Sequence, residues 1–154
     1  MRFDVRAADF SDPRLDQLIA FHLGQARANS PEGYSFALGV DALRQPEIAL
    51  FVAYEGSALV AMGALKTLTP EHGELKSMRT APEHLRKGAA TAMLTHLLGE
   101  ARLRGLRRVS LETGTTDVYQ PAVALYVRHG FQAGDTFGDY APSPHNRCYH
   151  LELG

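Results

Sequence analysis

From Glu74 onward the chain reads as a strand, a short basic turn, a helix and a second strand, a succession that leaves few ways to fold. Glu74–Thr80 has strand character and Ala81-Pro82 stops it. The helix that follows sets Ala90, Leu94, Leu97, Leu98 and Ala101 on one face, carries Arg102 and Arg104 in its last turn, and ends at Gly105. Val109, Leu111 and Thr113 then alternate as the next strand. A strand–helix–strand unit of this length predicts a parallel pair with a right-handed crossover. Its turn reads His84-Leu85-Arg86-Lys87-Gly88-Ala89-Ala90, two cations ahead of three residues with little or no side chain. The first turn of a helix offers unpaired N–H groups and the positive end of the macrodipole, and small residues let a bulky anion come close. The segment is suited to a phosphorylated ligand.

The flanks complete a mixed sheet. Phe3 and Val5 suggest a first strand, and Asp12-Pro13 an N-cap with proline at N1, followed by Leu15, Leu18, Ile19 and His22 or Phe21 on one helical face. Ala28–Pro46 is loop-rich, with one short helix near Val40–Arg44. Ile48–Tyr54 and Leu59–Thr67 form a hairpin around Glu55-Gly56. Pro121 opens a helix holding Ala122, Leu125, Tyr126 and His129, which Gly130 closes. Phe131–Ala133 and Asn146–Glu152 read as two last strands. The expectation is one α/β domain over residues 1–154: antiparallel strands first, a parallel pair in the centre, helices on both faces.

Charge narrows the ligand. Residues 76–108 hold eight of the 16 lysines and arginines, against Glu83 and Glu100 only. The same stretch has no Phe, Tyr or Trp on which single-stranded nucleic acid would stack, so a small anion is preferred to nucleic acid. The N-terminus lacks a signal-peptide core and no apolar run is long enough to span a bilayer. Cys148 stands alone, so a cytoplasmic protein is expected. Its strand-like surroundings suit packing better than catalysis. The seven histidines look scattered; His145 and His150 have zinc-like spacing, but no C-x-x-C accompanies them, and no metal is expected.

Two familiar phosphate loops fail: Lys87-Gly88 reverses the order of the triphosphate loop, and Gly88 alone cannot make G-x-G-x-x-G. The residues instead resemble the GNAT superfamily of acetyl-CoA-dependent N-acetyltransferases. Its turn signature, [QR]-x-x-G-x-[GA], matches Leu85-Arg86-Lys87-Gly88-Ala89-Ala90 at the glycine and the last small residue, with Leu85 in the leading place and Arg86 displaced by one. Met78-Arg79-Thr80 is similar to the family's strand that pairs with the pantetheine arm. Ala122 to Phe131 is similar to its A-x-x-L-Y-x-x-x-G-F, with Tyr119 where the family often has Asn. The resemblance spans roughly residues 48–153. It implies a GNAT-like sheet with a splayed parallel pair and acetyl-CoA as co-substrate. The acceptor would be the amine of a small molecule or peptide, in a chain able to pair as a homodimer. Gly73–Arg79, Leu111–Gly114 and Phe137–Tyr140 also resemble a bacterial subgroup of small acetyltransferases, some bearing an indole-acetic-acid name.

The resemblance assigns Leu85, Arg86, Lys87, Gly88, Ala89 and Ala90 to the pyrophosphate, Met78, Arg79 and Thr80 to pantetheine, Tyr119 to the coenzyme, and Tyr126 to the sulfur. Read by periodicity alone, Tyr126 continues a core stripe. An alkylamine with a pKa of about 10.4 is neutral only about once in two thousand at pH 7, a cost on the order of 4 kcal/mol that a positioned base can offset. Glu74 and Glu112, on the two strands flanking the thioester, are the candidate bases. Equally, either can be an ion-pair partner of Lys76 or Arg79. Alternation groups Glu74, Lys76, Met78 and Thr80 on one face, and an unpaired Lys76 would suit an acceptor carboxylate. The rival class is a non-catalytic acyl-CoA sensor, which needs the turn but neither base nor Tyr126.

Overall fold

The computed structural model describes residues 2–154. Its strands are β1 (Asp4–Ala7), β2 (Ile48–Glu55), β3 (Ala58–Thr69), β4 (His72–Thr80), β5 (Arg108–Gly114), β6 (Gln132–Gly134) and β7 (Asn146–Glu152). The helices are α1 (Pro13–Ala28), α2 (Val40–Leu43), α3 (Ala89–Leu103) and α4 (Gln120–Arg128). All seven strands form one sheet in the order β1-β2-β3-β4-β5-β7-β6, and β4–β5 is its parallel pair. Asp12 caps α1, its Oδ1 accepting from Arg14 N at 2.9 Å with Pro13 at the first helical position. That is the arrangement its sequence implies.

Helices cover both faces, and each face has its own core. On one side Met93, Leu94, Leu97, Leu98 and Ala101 of α3, with Leu125 and Tyr126 of α4, pack against Phe51, Val60, Leu75 and Leu111. On the other, Leu15, Leu18 and Ile19 of α1 and Leu43 of α2 pack against Leu50, Val52 and Met62. The inward stripe of α3 is the one the spacing predicts, widened by Ala89 and Met93: Leu94, Leu97, Leu98 and Ala101 are buried, and Ala90 is partly buried against the same core. Among the described residues, no helix is long and apolar enough to cross a membrane.

Two irregularities of the central strands create the site. The first is splay. The β4–β5 ladder comprises His72↔Arg108, Gly73↔Val109 and Glu74↔Ser110, and past it the strands run on without pairing. The second is a bulge. Met62 pairs with Arg79 and Ala64 with Lys76, so three steps along β4 face two along β3. Ser77 takes up the extra residue at φ 56°, a left-handed conformation uncommon for a side-chain-bearing residue. The bulge overturns the expected alternation. Met78 and Thr80 cross to the α3 face, where the Met78 sulfur lies beside Gly63 near Met93 and Leu97. Arg79 joins Glu74 and Lys76 on the α1 face.

Candidate active site

The opening between β4 and β5 is a cavity of about 130 Å³, lined by Glu74, Lys76, Met78, Arg79, Glu112, Tyr119 and Tyr126 among others. That is room for roughly four waters, so only the reacting ends of two ligands meet there. Beyond β4, α3 begins on Gly88, whose φ of 92° suits glycine. The first intrahelical bond runs from Ala92 N to Gly88 O, which leaves the preceding N–H groups of the turn without helical partners. Arg86 is also left-handed at φ 65°, and Leu85 is exposed. Lys87 is drawn sideways, its Nζ 3.8 Å from Glu55 Oε1. The turn therefore presents main chain more than side chains.

The two glutamates separate clearly. Glu74 is buried and occupied: its Oε2 accepts from Tyr140 OH at 2.5 Å and from Lys76 Nζ at 3.2 Å, while Lys76 also donates to Tyr140 OH at 2.7 Å. Of the two readings open for Glu74, the ion pair with Lys76 is the one observed, so Lys76 is not free to greet an acceptor. Glu112 sits on β5 beyond the ladder. Burial pushes its carboxyl up to about 7, with Glu74 adding repulsion and Lys76 opposing it. A carboxyl in that range exchanges protons at neutral pH.

Tyr126 is 7% exposed, with its ring edge-on to Phe131 at 5.7 Å. Desolvation raises its phenol to about 12, against the pull of Arg79. Tyr119 covers Gly114, where a β-carbon would come within 2.3 Å of the ring, and its OH lies 3.2 Å from Ser30 Oγ. It ties the loop after α1 to the mouth of the cleft. Cys148, opposite Glu112 in the β5–β7 register, is buried and its thiol is raised to about 11 by burial and then by Glu112. That thiol is no nucleophile.

Sequence reasoning missed three things here. Ser77 carries a buried Oγ with no hydrogen-bond partner among the described residues, at the bulge itself. His22 of α1 accepts from Arg79 Nε through Nδ1 at 2.9 Å, and burial lowers it to about 4. The histidines are also less scattered than they look. Ser110 Oγ lies 2.7 Å from His72 Nε2 and 2.6 Å from His150 Nδ1, and His150 Nε2 lies 2.7 Å from Asp135 O. A carbonyl only accepts, so in a neutral His150 Nε2 donates, Nδ1 accepts from Ser110, and Ser110 accepts from His72. His145 goes elsewhere, packing on Tyr34 at 4.8 Å. Among the described residues no group of His, Cys, Asp and Glu has metal-holding geometry.

The acetyltransferase (GNAT) family model matches residues 15–131. The uncharacterised N-acetyltransferase YedL of Escherichia coli is 42% identical, over 98% of this chain and 95% of its own. The uncharacterised N-acetyltransferase YsnE of Bacillus subtilis is 42% identical, over 92% and 94%. A GNAT family acetyltransferase from Elizabethkingia anophelis, solved with acetyl-CoA bound, superposes with a TM-score of 0.72 at 14% identity, over 99% of both chains; that likeness is one of fold.

Proposed function

Since the chain belongs to the GNAT family of acetyltransferases, we propose that it moves an acetyl group from acetyl-CoA to the amine of a small molecule or peptide by direct attack. The observation that carries the reading is the splay of β4 from β5, which brings Glu112 and Tyr126 to one small cavity, while the turn that follows β4 opens α3 at Gly88. Acetyl-CoA bound in the Elizabethkingia relative supports the choice of donor.

In this scheme the N–H groups around Gly88, Ala89 and Ala90 hold the pyrophosphate, and the main chain of Met78 to Thr80, past the bulge, pairs with the pantetheine arm. Leu85, Arg86 and Lys87 frame the turn, and Tyr119 guards the mouth. The amine nitrogen attacks the thioester carbon, its N–H proton passes to Glu112, and the C–S bond breaks. A thiol has a pKa of about 8.5, so full proton transfer from a phenol near 12 would be uphill by roughly 5 kcal/mol. Tyr126 is accordingly a hydrogen-bond donor to the departing thiolate, which takes its proton on release. Glu74, engaged by Lys76 and Tyr140, holds the cleft's shape and its charge balance.

Calorimetry with acetyl-CoA, beside a thiol-release assay over an amine panel, tests the reading. Binding and turnover are expected. Gly88→Glu forces a side chain into left-handed backbone and sets a carboxylate against the phosphates, and it should weaken binding by about 100-fold or more. Wild-type binding by that variant would overturn the phosphate assignment. Binding without turnover of any amine would favour the sensor.

A further inference from the structure

The cleft holds two cations from β4, and they are treated differently. Lys76 is matched by Glu74. Arg79 has no carboxylate within ion-pair distance among the described residues. Its one side-chain hydrogen bond goes from Nε to a histidine nitrogen, and its Cζ lies over the Phe21 ring at 5.6 Å. His22 stays neutral because burial, and then Arg79 and Lys76, depress its basicity, so it orients the guanidinium without cancelling the charge. Leaving a partly desolvated guanidinium uncompensated is costly, and its two remaining nitrogens form a fork that suits a planar carboxylate.

Direction matters as much as charge. The Ser77 bulge sends Met78 toward α3 and Arg79 toward α1. The side chain thus lies on the α1 side of the sheet, opposite the face on which α3 packs. Ser30, Tyr34, Ser35 and Tyr119 line the same cavity as Arg79. Arg79 was assigned above to the pantetheine through its main chain; its side chain is left for the other substrate.

We propose that Arg79 reads a carboxylate on the acceptor, so that the amine acetylated belongs to the amino-acid class. This rests on the acetyl-transfer reading and deepens it. An amine with no anion of its own brings a positive charge toward Arg79 and Lys76, whereas a carboxylate beside the amine cancels one of the two. Nothing covalent is asked of Arg79, which binds and positions.

The test uses the full chain at saturating acetyl-CoA and matched sets of acceptors: free amino acids, their amides, the corresponding decarboxylated amines and the aminoalkyl phosphonates. Free acids should exceed amides and decarboxylated amines by about 10- to 100-fold in kcat/KM, the range expected for one charge-assisted pair. Arg79→Gln should collapse that ratio, and Arg79→Lys should retain part of it. Equal rates on acid and amide, a preference for phosphonates, or a preference surviving Arg79→Gln would each overturn the proposal while leaving acetyl transfer intact. A second measurement needs no turnover. Calorimetry of the CoA-loaded protein with N-acetylamino acids and their amides should show tighter binding of the acids by a similar factor, lost in Arg79→Gln. If no amine is acetylated, the acetyl-transfer reading falls and this titration alone decides: equal binding of acid and amide, or none, sinks the carboxylate site as well.

Discussion

At the paired end of β4 and β5, Ser110 is fully buried and shared between His72 and His150, while at the parted end Ser77 is buried and its Oγ has no hydrogen-bond partner among the described residues. Where Glu74 and Ser110 still face each other across the ladder, the polar side chains are consumed by one another: Glu74 by Tyr140 and Lys76, Ser110 by its histidines. A few residues along the same strands, Glu112 is raised to about 7 and Arg79 has no counter-ion among the described residues. Buried polar groups are ordinarily satisfied, and those left in reserve mark where a ligand supplies the missing partner. On the proposed reading the closed end is frame and the open end is site, although both are cut from the same two strands.

The largest expected effect is at the open end. Glu112→Gln should lower kcat by about 10²- to 10³-fold, the scale of a lost general base. A base works deprotonated, so wild-type kcat/KM should fall as pH drops below about 7, and the variant should lose that limb. A variant with the wild-type profile would move the base elsewhere.

His22 ranks next. Its folded pKa of about 4 lies below the unfolded value of 6.5. Its contribution is therefore complete above about pH 6.5 and is lost as pH falls toward 4, by on the order of 2 kcal/mol at pH 4.5. Urea unfolding at pH 7 and pH 4.5 should show a smaller pH difference in His22→Gln than in the wild type.

At the closed end, Ser110→Ala strands two histidine nitrogens and should cost about 1–3 kcal/mol of stability. For a chain of this size that is a melting temperature lower by roughly 2–10 °C. Affinity for acetyl-CoA should stay within about twofold; a collapse of turnover without loss of stability would erase the distinction between the two ends. The smallest effect is expected at Tyr126→Phe, which removes one hydrogen bond to a leaving thiolate and should lower kcat by about 10-fold with little change in the acetyl-CoA dissociation constant.

How far the sequence could be read depended on whether the signal was local. The proline and aspartate at the start of α1, the small-residue turn at Gly88 and the 3.6-residue stripe of α3 each sit within one element, and all three were legible. The bulge was not. Ser77 is an unremarkable residue in a strand-like run, and only the pairing of β4 with β3 reveals the extra step that regroups Lys76, Met78 and Arg79. The His72–Ser110–His150 chain was hidden for the same reason. It joins three strands whose mutual register no single-strand pattern records. Tyr140 stood out only within Phe137–Tyr140, a segment that resembles the bacterial subgroup, and its bond to Glu74 spans 66 residues of chain.

The order and kind of the elements, and the small-residue start of α3 at Gly88, were written into short-range patterns of size, charge and hydropathy, because backbone conformation answers to its nearest neighbours. Which glutamate is engaged and which is poised, and which cation lacks a partner, came from register, bulge and splay. Those are relations between strands far apart in the chain, and they alone set how deeply a charge is buried and what stands beside it.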